Sequence, residues 1–283
     1  MRRRIKDTSA CGAFDGSSDR TFKVVALIGI LIFSLSSAAA QTKIAEGEYA
    51  IYEQANGGAF GPEGEEVYNF HESWTLWRTE KQQYRVEGQR KFDSPQFTPH
   101  EDRFIVELSR DMTVIRMTQF GPLKWSRNSG PLTCEFLAKE IHCSSGQPIP
   151  GQPVNLHVAM ENPFGLLWPI SPFSLGGLTR QSERDPVHST RVQLLSMEQP
   201  SKALPVYPVI LCGDLQYLGE EAMEAAGQRW VAHKFSLKVA MRPQYLIWTS
   251  SRGLLLSLAI KHPHPGWPQE GMKLVRFKKW VDF

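Results

Sequence analysis

Apolar and polar residues alternate with a period of two along most of this chain, the pattern of strands that bury one face. Residues 46–53 alternate around Tyr49 and Ile51, and a Gly-rich turn, NGGAFGPEG, follows at 56–64. Residues 67–78 set Tyr68, Phe70, Trp74 and Leu76 on one face and Trp77 on the other. A Thr-Glu-Lys turn leads to a strand over 83–90. Residues 103–108 and 112–120 read as a hairpin about Ser109-Arg110-Asp111, with Val114 and Phe120 on the face opposite Ile115 and Met117. After the break described below, strands resume at 191–198 and 206–211. They are followed by 214–219, 220–224, 230–239, 245–249, 254–260 and 272–281. EEAMEAA (220–226) has helix-favouring composition, but only seven residues precede Gly227, so a strand is preferred. No internal repeat occurs at a fixed period. About twelve strands with hairpin-length connections predict a mainly β fold, a curved antiparallel sheet or half-barrel. Two stacked half-sheets are the competing arrangement.

The period fails between about 147 and 186. Pro148, Pro150 and Pro153 lead into a short VNLHVAM segment and then into NPFGLLWPISPFSLGGLT, residues 162–179, which carries no charge. Pro163, Pro169 and Pro172 remove backbone donors and limit any helix to a turn or two. The stretch is a poor membrane span and too irregular for a strand. It is also too aromatic for a linker. It reads as a Pro-rich, partly helical insertion that packs as a lid over the mouth of the sheet, through Phe164, Leu167, Trp168, Ile170, Phe173 and Leu175.

Charge changes the picture at the N-terminus. The first forty residues hold six Lys or Arg and three Asp, and the remainder carries 26 basic and 26 acidic side chains. A formally neutral body argues against nucleic acid as a partner, since that footprint needs a basic excess. Residues 24–35, VVALIGILIFSL, form an apolar core of twelve residues followed by SSAAA and Gln41. Ala38 and Ala40 fit the small-x-small site of signal peptidase, so residues 1–40 are expected to be a signal peptide cleaved after Ala40. An uncleaved anchor is the competing reading, although twelve residues fall short of the ~20 of a span. The expected location is the periplasm or the extracellular space, with 41–283 as a single β-rich domain.

Export permits disulfides. Cys11 leaves with the leader, and Cys134, Cys143 and Cys212 remain. With Ala138–Lys139 as a turn in CEFLAKEIHC, Cys134 faces Cys143 across a hairpin, a position that suits a bridge. The turn lacks the usual Gly signature, which leaves a wider loop open. Zinc held by Cys134, His142 and Cys143 competes with the bridge but lacks an evident fourth ligand. Cys212 is left over.

The second half has a recurring layout: DLQYLGEEAMEAAG (214–227), the KFSL strand, IWTSSRGLLLSLAI (247–260) and a final strand ending LVRFKKW (274–280). Together with the EGEYAIYE opening it resembles exported bacterial proteins with a lipoprotein-carrier-like half-barrel, the group around LolA, LolB and the DUF3108-type domains. The resemblance implies a curved antiparallel sheet around an apolar cavity with a lid over its open side, and lipid or lipoprotein handling in the periplasm. The chain departs from the carriers by its length and its cysteine hairpin.

Reactive motifs are absent. The sequence holds no Gly-rich phosphate loop, no G-x-S-x-G elbow and no H-E-x-x-H, and it implies no cofactor and no catalytic residue. Of the eight histidines only His262 and His264 lie close in sequence, in a Pro-flanked loop that suits a surface better than a metal. Adjacent carboxylates such as Glu65–Glu66 and Glu220–Glu221 point to opposite faces of a strand. Of the eight Trp residues, Trp74, Trp248 and Trp280 are expected in the core. These features favour an exported envelope protein that binds a hydrophobic ligand, a lipid or acyl chain, with peripheral membrane contact compatible with it. The alternative is an envelope assembly factor that docks a protein partner through 162–179. A glycan-active enzyme ranks third.

Overall fold

The computed structural model describes residues 41–54, 66–92, 100–120, 131–145, 155–160, 163–168, 172–183, 188–198, 207–240, 242–261 and 269–282. The leader with its cleavage site, the 56–64 turn, Ile170 and the His262/His264 pair lie outside them.

The described strands number fifteen. The first eight are β1 (Thr42–Gln54), β2 (Glu66–Arg78), β3 (Tyr84–Phe92), β4 (His100–Leu108), β5 (Val114–Phe120), β6 (Leu132–Phe136), β7 (Glu140–Ser145) and β8 (Asn155–Ala159). Then come β9 (Phe164–Trp168), the helix α1 (Gly176–Glu183), β10 (Thr190–Glu198) and β11 (Tyr207–Ala225). The last four are β12 (Gln228–Val239), β13 (Gln244–Thr249), β14 (Leu255–Lys261) and β15 (Gln269–Lys279). They form one curved, unclosed sheet in the order β8-β7-β6-β5-β4-β3-β2-β1-β15-β14-β13-β12-β11-β10-β9. The first and last strands pair in the middle, and the two free edges, β8 and β9, are neighbours in sequence. The expected mainly β, curved sheet is therefore present.

The departures are local. Residues 164–168, which looked too irregular for a strand, form β9, and β9 pairs parallel with β10 through the α1 crossover. The sheet is thus not antiparallel throughout. Three segments read separately over 206–224 are one strand, β11, and the strand reading of EEAMEAA holds. On β5 the face assignment fails. Leu108 pairs with Val114 while Glu107 pairs with Arg116, so Ile115 is the extra residue of a bulge. Val114 and Met117 consequently both point inward, and Phe120 points out.

Three hairpin turns share one geometry. Thr79, Ser109 and Ser250 each donate through their N–H to the carbonyl four residues on. Each also accepts from the residue three on, and those residues, Gln82, Met112 and Gly253, have φ of 58, 62 and 79°. This is a three-residue loop closed by a left-handed residue. Only one of the three needs glycine for packing: a Cβ on Gly253 would stand 2.7 Å from Gly176 Cα, where α1 begins.

The CEFLAKEIHC hairpin has the expected register, Phe136 opposite Ile141 and Cys134 opposite Cys143, and Leu137 N–H donates to Glu140 O. Cys134 and Cys143 are joined by a disulfide on the buried face. The alternative zinc set fails because the sulfurs are bonded to each other and His142 points to the other face. Cys212 is free and exposed on β11.

The core lines the inner face of the sheet. Across β15, β1, β2, β3 and β4 one row reads Phe277, Gly47, Trp74, Gly88, Phe104. Each glycine gives its place to a neighbouring ring: a Cβ on Gly47 would lie 2.4 Å from Trp74, and one on Gly88 2.0 Å from Phe104. Trp74 is core as expected. Trp248 is only half-buried and donates its indole N–H to Glu221. Trp280 is a correction: it follows the end of β15, is 42% exposed, and lies under the ammonium groups of Lys43 and Lys278 at 4.4 and 4.9 Å. Among the described residues no helix is long and apolar enough to cross a membrane.

Candidate functional site

The uncharged stretch supplies part of the interior. Phe173 is wholly buried, with its ring edge-on to Trp74 at 6.2 Å between centroids. Pro172 O accepts from Leu255 N–H, and Ser174 O accepts from Leu166 N–H. Leu167 and Leu175 are buried, and Leu175 and Leu178 pack over Gly165 of β9. Phe164 is half-buried and stacks on Phe136 of β6, with centroids 5.1 Å apart. Trp168 ends β9; its side chain, like Ile170, lies outside the described residues. Phe173 and Leu175 thus meet against the inner face, while Phe164 sits apart beside β6.

A cleft opens where the β11–β12 hairpin ends. Ala226 and Gly227, at φ 51 and 67°, make a two-residue turn with both central residues left-handed. Gly219, at φ 112°, sits where the register shifts between Tyr217 and Gly219, and such a bulge bends its strand. The pairing of β12 with β13 stops at His233–Thr249, so residues 228–232 run beyond it. The bent tip passes β13 and β14 to reach β15, where Ala226 N–H donates to Leu274 O at 2.9 Å. Trp230 is pinned by its indole N–H on Ala225 O at 3.0 Å.

Between this tip, the 250–254 turn and the end of β15 lies a cleft of about 440 Å³, lined among others by Arg229, Trp230, Arg252, Leu254, Phe277 and Lys279. Its floor is aromatic and its rim basic. Lys279 pairs with Asp282 at 2.5 Å, which holds that exposed carboxyl below its ordinary range. The rings continue inward: Trp230 to Phe277 at 5.5 Å, Phe277 to Trp74 at 6.2 Å, Trp74 to Phe173 at 6.2 Å. A path of ring-to-ring contacts therefore runs from the cleft to the buried segment.

Beside that path lies a buried ionic row. Tyr49, Glu72, Arg90 and Asp102 are successive cross-strand partners on β1 to β4. Arg90 Nε donates to Glu72 Oε2 at 2.6 Å, with both side chains 1% exposed, and its guanidinium lies 4.7 Å from the Phe104 ring centre. Burial raises the Glu72 carboxyl above its ordinary range despite the opposing pull of Arg90. Burial and the charge of Glu72 together push the Tyr49 hydroxyl well up, and that hydroxyl donates to Leu255 O at 2.8 Å. Glu72 Oε1 receives no hydrogen bond from the described protein. A second cluster ties α1 to the sheet. His233 lies 3.0 Å from Glu183, the last residue of α1, and 3.6 Å from Glu220. Burial raises the Glu183 carboxyl, with His233 opposing.

Sequence reasoning missed both the ionic row and the cleft. The row had a signal: Glu72 stands at the period-two position between Phe70 and Trp74, on the face expected to be buried. The cleft had none, because it depends on a bend at Gly219 and a contact from Ala226 to Leu274, 48 residues apart in sequence.

No protein-family model matches the chain, and no curated protein sequence does. Among solved structures the chain is similar to a beta-barrel-like protein of a domain of unknown function, DUF1849, from Brucella abortus. The TM-score is 0.50 at 8% identity, over 86% of this chain and 100% of that one. It also matches a DUF1089 family protein from Pseudomonas aeruginosa, with a TM-score of 0.40 at 13% identity, over 71% of this chain and 92% of that one. The likeness to the first is one of fold.

Proposed function

We propose that this chain is an exported envelope protein that binds a hydrophobic ligand, a lipid or acyl chain, in its curved sheet. The observation that carries the reading is the run of rings from Trp230 through Phe277 and Trp74 to Phe173, which leads inward from the basic-rimmed cleft. An acyl chain laid over Trp230 and Phe277, the two half-buried rings of the cleft, would exchange water for aromatic surface at roughly 0.8 kcal/mol per CH₂. Arg229 and Arg252 at the rim suit an anionic headgroup. Membership of the lipoprotein-carrier-like group is part of the same proposal and agrees with a half-barrel that handles lipid.

The assembly-factor alternative asks the 162–179 segment to meet a protein partner. Phe173 and Leu175 would first have to leave the core, so ligand binding is the better supported. Purification from the native envelope followed by native mass spectrometry and lipid extraction tests it. A bound lipid in near-stoichiometric amount is expected, with saturable uptake of a fluorescent fatty acid by delipidated protein that falls at least severalfold in Trp230→Ala. Absence of both bound lipid and saturable uptake overturns the reading. A polypeptide cross-linked through Phe164 in place of lipid would favour the partner.

A further inference from the structure

The outer face of the edge hairpin carries a cluster that the cleft does not use. β7 and β8 pair antiparallel with His142 directly opposite His157. Glu140 precedes His142 by two residues and so shares its face of β7. The imidazole centroids are 4.0 Å apart, and Glu140 Oε1 lies 3.0 Å from His142 Nε2. One ligand atom from each of the three side chains falls within 4.8 Å of the other two. Zinc bonds of about 2.0–2.1 Å place tetrahedral ligand atoms about 3.3 Å apart. Side-chain rotation alone therefore closes these three on an ion, with both strands where they are.

The surroundings suit a metal. Two imidazoles and one carboxylate select zinc-class cations over magnesium or calcium, which take oxygen shells. The backbone under His142 is fixed, because its neighbour Cys143 is cross-linked to Cys134 of β6 on the opposite face. Ala159, the residue opposite Glu140, brings no bulk beside the carboxylate. A fourth position is left to water, since Glu135, which faces His142 from β6, pairs with Arg116 at 3.8 Å.

We infer that Glu140, His142 and His157 form a binding site for one zinc-class divalent cation. The ion joins the edge strand β8 to β7, much as the neighbouring disulfide joins β7 to β6. The site is separate from the cleft, and neither depends on the other.

Calorimetric titration of tag-free, chelator-treated protein with zinc chloride is expected to show one saturable site, and magnesium chloride none. His142→Ala and His157→Ala are each expected to weaken zinc binding by more than about tenfold, and Glu140→Gln by less. Glu140 and His142 are half-buried and His157 is exposed, so the variants are expected to keep their fold, checked by circular dichroism. Hydrogen exchange adds an independent reading: zinc should slow the amides of residues 156–159 in the wild type and leave them unchanged in His157→Ala. No saturable zinc binding, or wild-type affinity in the His142→Ala/His157→Ala double variant, overturns the inference.

Discussion

Two segments lie against this unclosed sheet, and they do so by opposite means. Residues 172–178 are uncharged and buried, with Phe173 against Trp74 and the start of α1 lodged on the 109–113 and 250–254 turns. The hairpin tip, residues 222–231, is largely exposed; Val231 is 62% accessible. It meets the body through a backbone bond to Leu274, the ring contact of Trp230 with Phe277, and the buried Ala225. Local opening is cheapest where few apolar groups are buried. The apolar segment expected over the mouth of the sheet packs Phe173 and Leu175 into the interior, whereas the hairpin tip stays at the surface.

The comparison breaks most visibly at its two aromatics. Phe173→Ala should lower unfolding free energy by about 3–5 kcal/mol in urea titration, because a buried ring leaves a cavity. Trp230→Ala should cost less than about 1.5 kcal/mol and show its effect in acyl-probe uptake instead. Equal destabilisation by the two would erase the distinction between buried segment and exposed tip.

Two glycines with left-handed backbone sharpen it next. Gly253→Ala adds a Cβ 2.7 Å from Gly176 as well as backbone strain, and should cost about 2–3 kcal/mol. Gly227→Ala at the tip has open space around its Cβ and should cost about 1 kcal/mol. Thermal melts of the two variants compare them directly.

A smaller contrast depends on pH. The folded protein holds the Glu72 proton more tightly than the unfolded chain does. Its contribution is therefore fully present below the ordinary carboxylate pKa and is lost as pH rises through the raised value. Glu221, on the hairpin, has its pKa lowered by hydrogen bonds from Lys234 and Trp248. Its contribution is present above the ordinary pKa and lost as pH falls through the lowered one. Unfolding free energy measured against pH should lose part of its downward slope in Glu72→Gln and part of its acid-side upward slope in Glu221→Gln. The smallest effect concerns Ala226, which takes φ 51° at the tip. Ala226→Asn, better suited to that conformation, should stabilise by about 0.5 kcal/mol, with the melting temperature as readout.

Much of this was legible in the residues. Period two marks strands because side chains alternate across a pleat, and the Cys134–Cys143 register followed from counting back from a two-residue turn. Glu72 was legible in principle, as a carboxylate on an otherwise apolar face, but its partner was not. Arg90 meets it only because β2 and β3 pair in one register. The Ile115 bulge escaped for a similar reason: one extra residue reverses the inside and outside of everything before it, and only the ladder reveals the insertion.

By itself, then, the sequence determined the kind of element and most of the turns, since these are local consequences of side-chain alternation and backbone preference. The tertiary structure alone decided that Phe173 and Leu175 are core and that the 222–231 tip is exposed. It also decided that β8 and β9 remain as edges, and that Glu140 and His142 meet His157. Those facts depend on strand order, on a bend at Gly219 and on contacts between residues far apart in the chain. No window of sequence contains them.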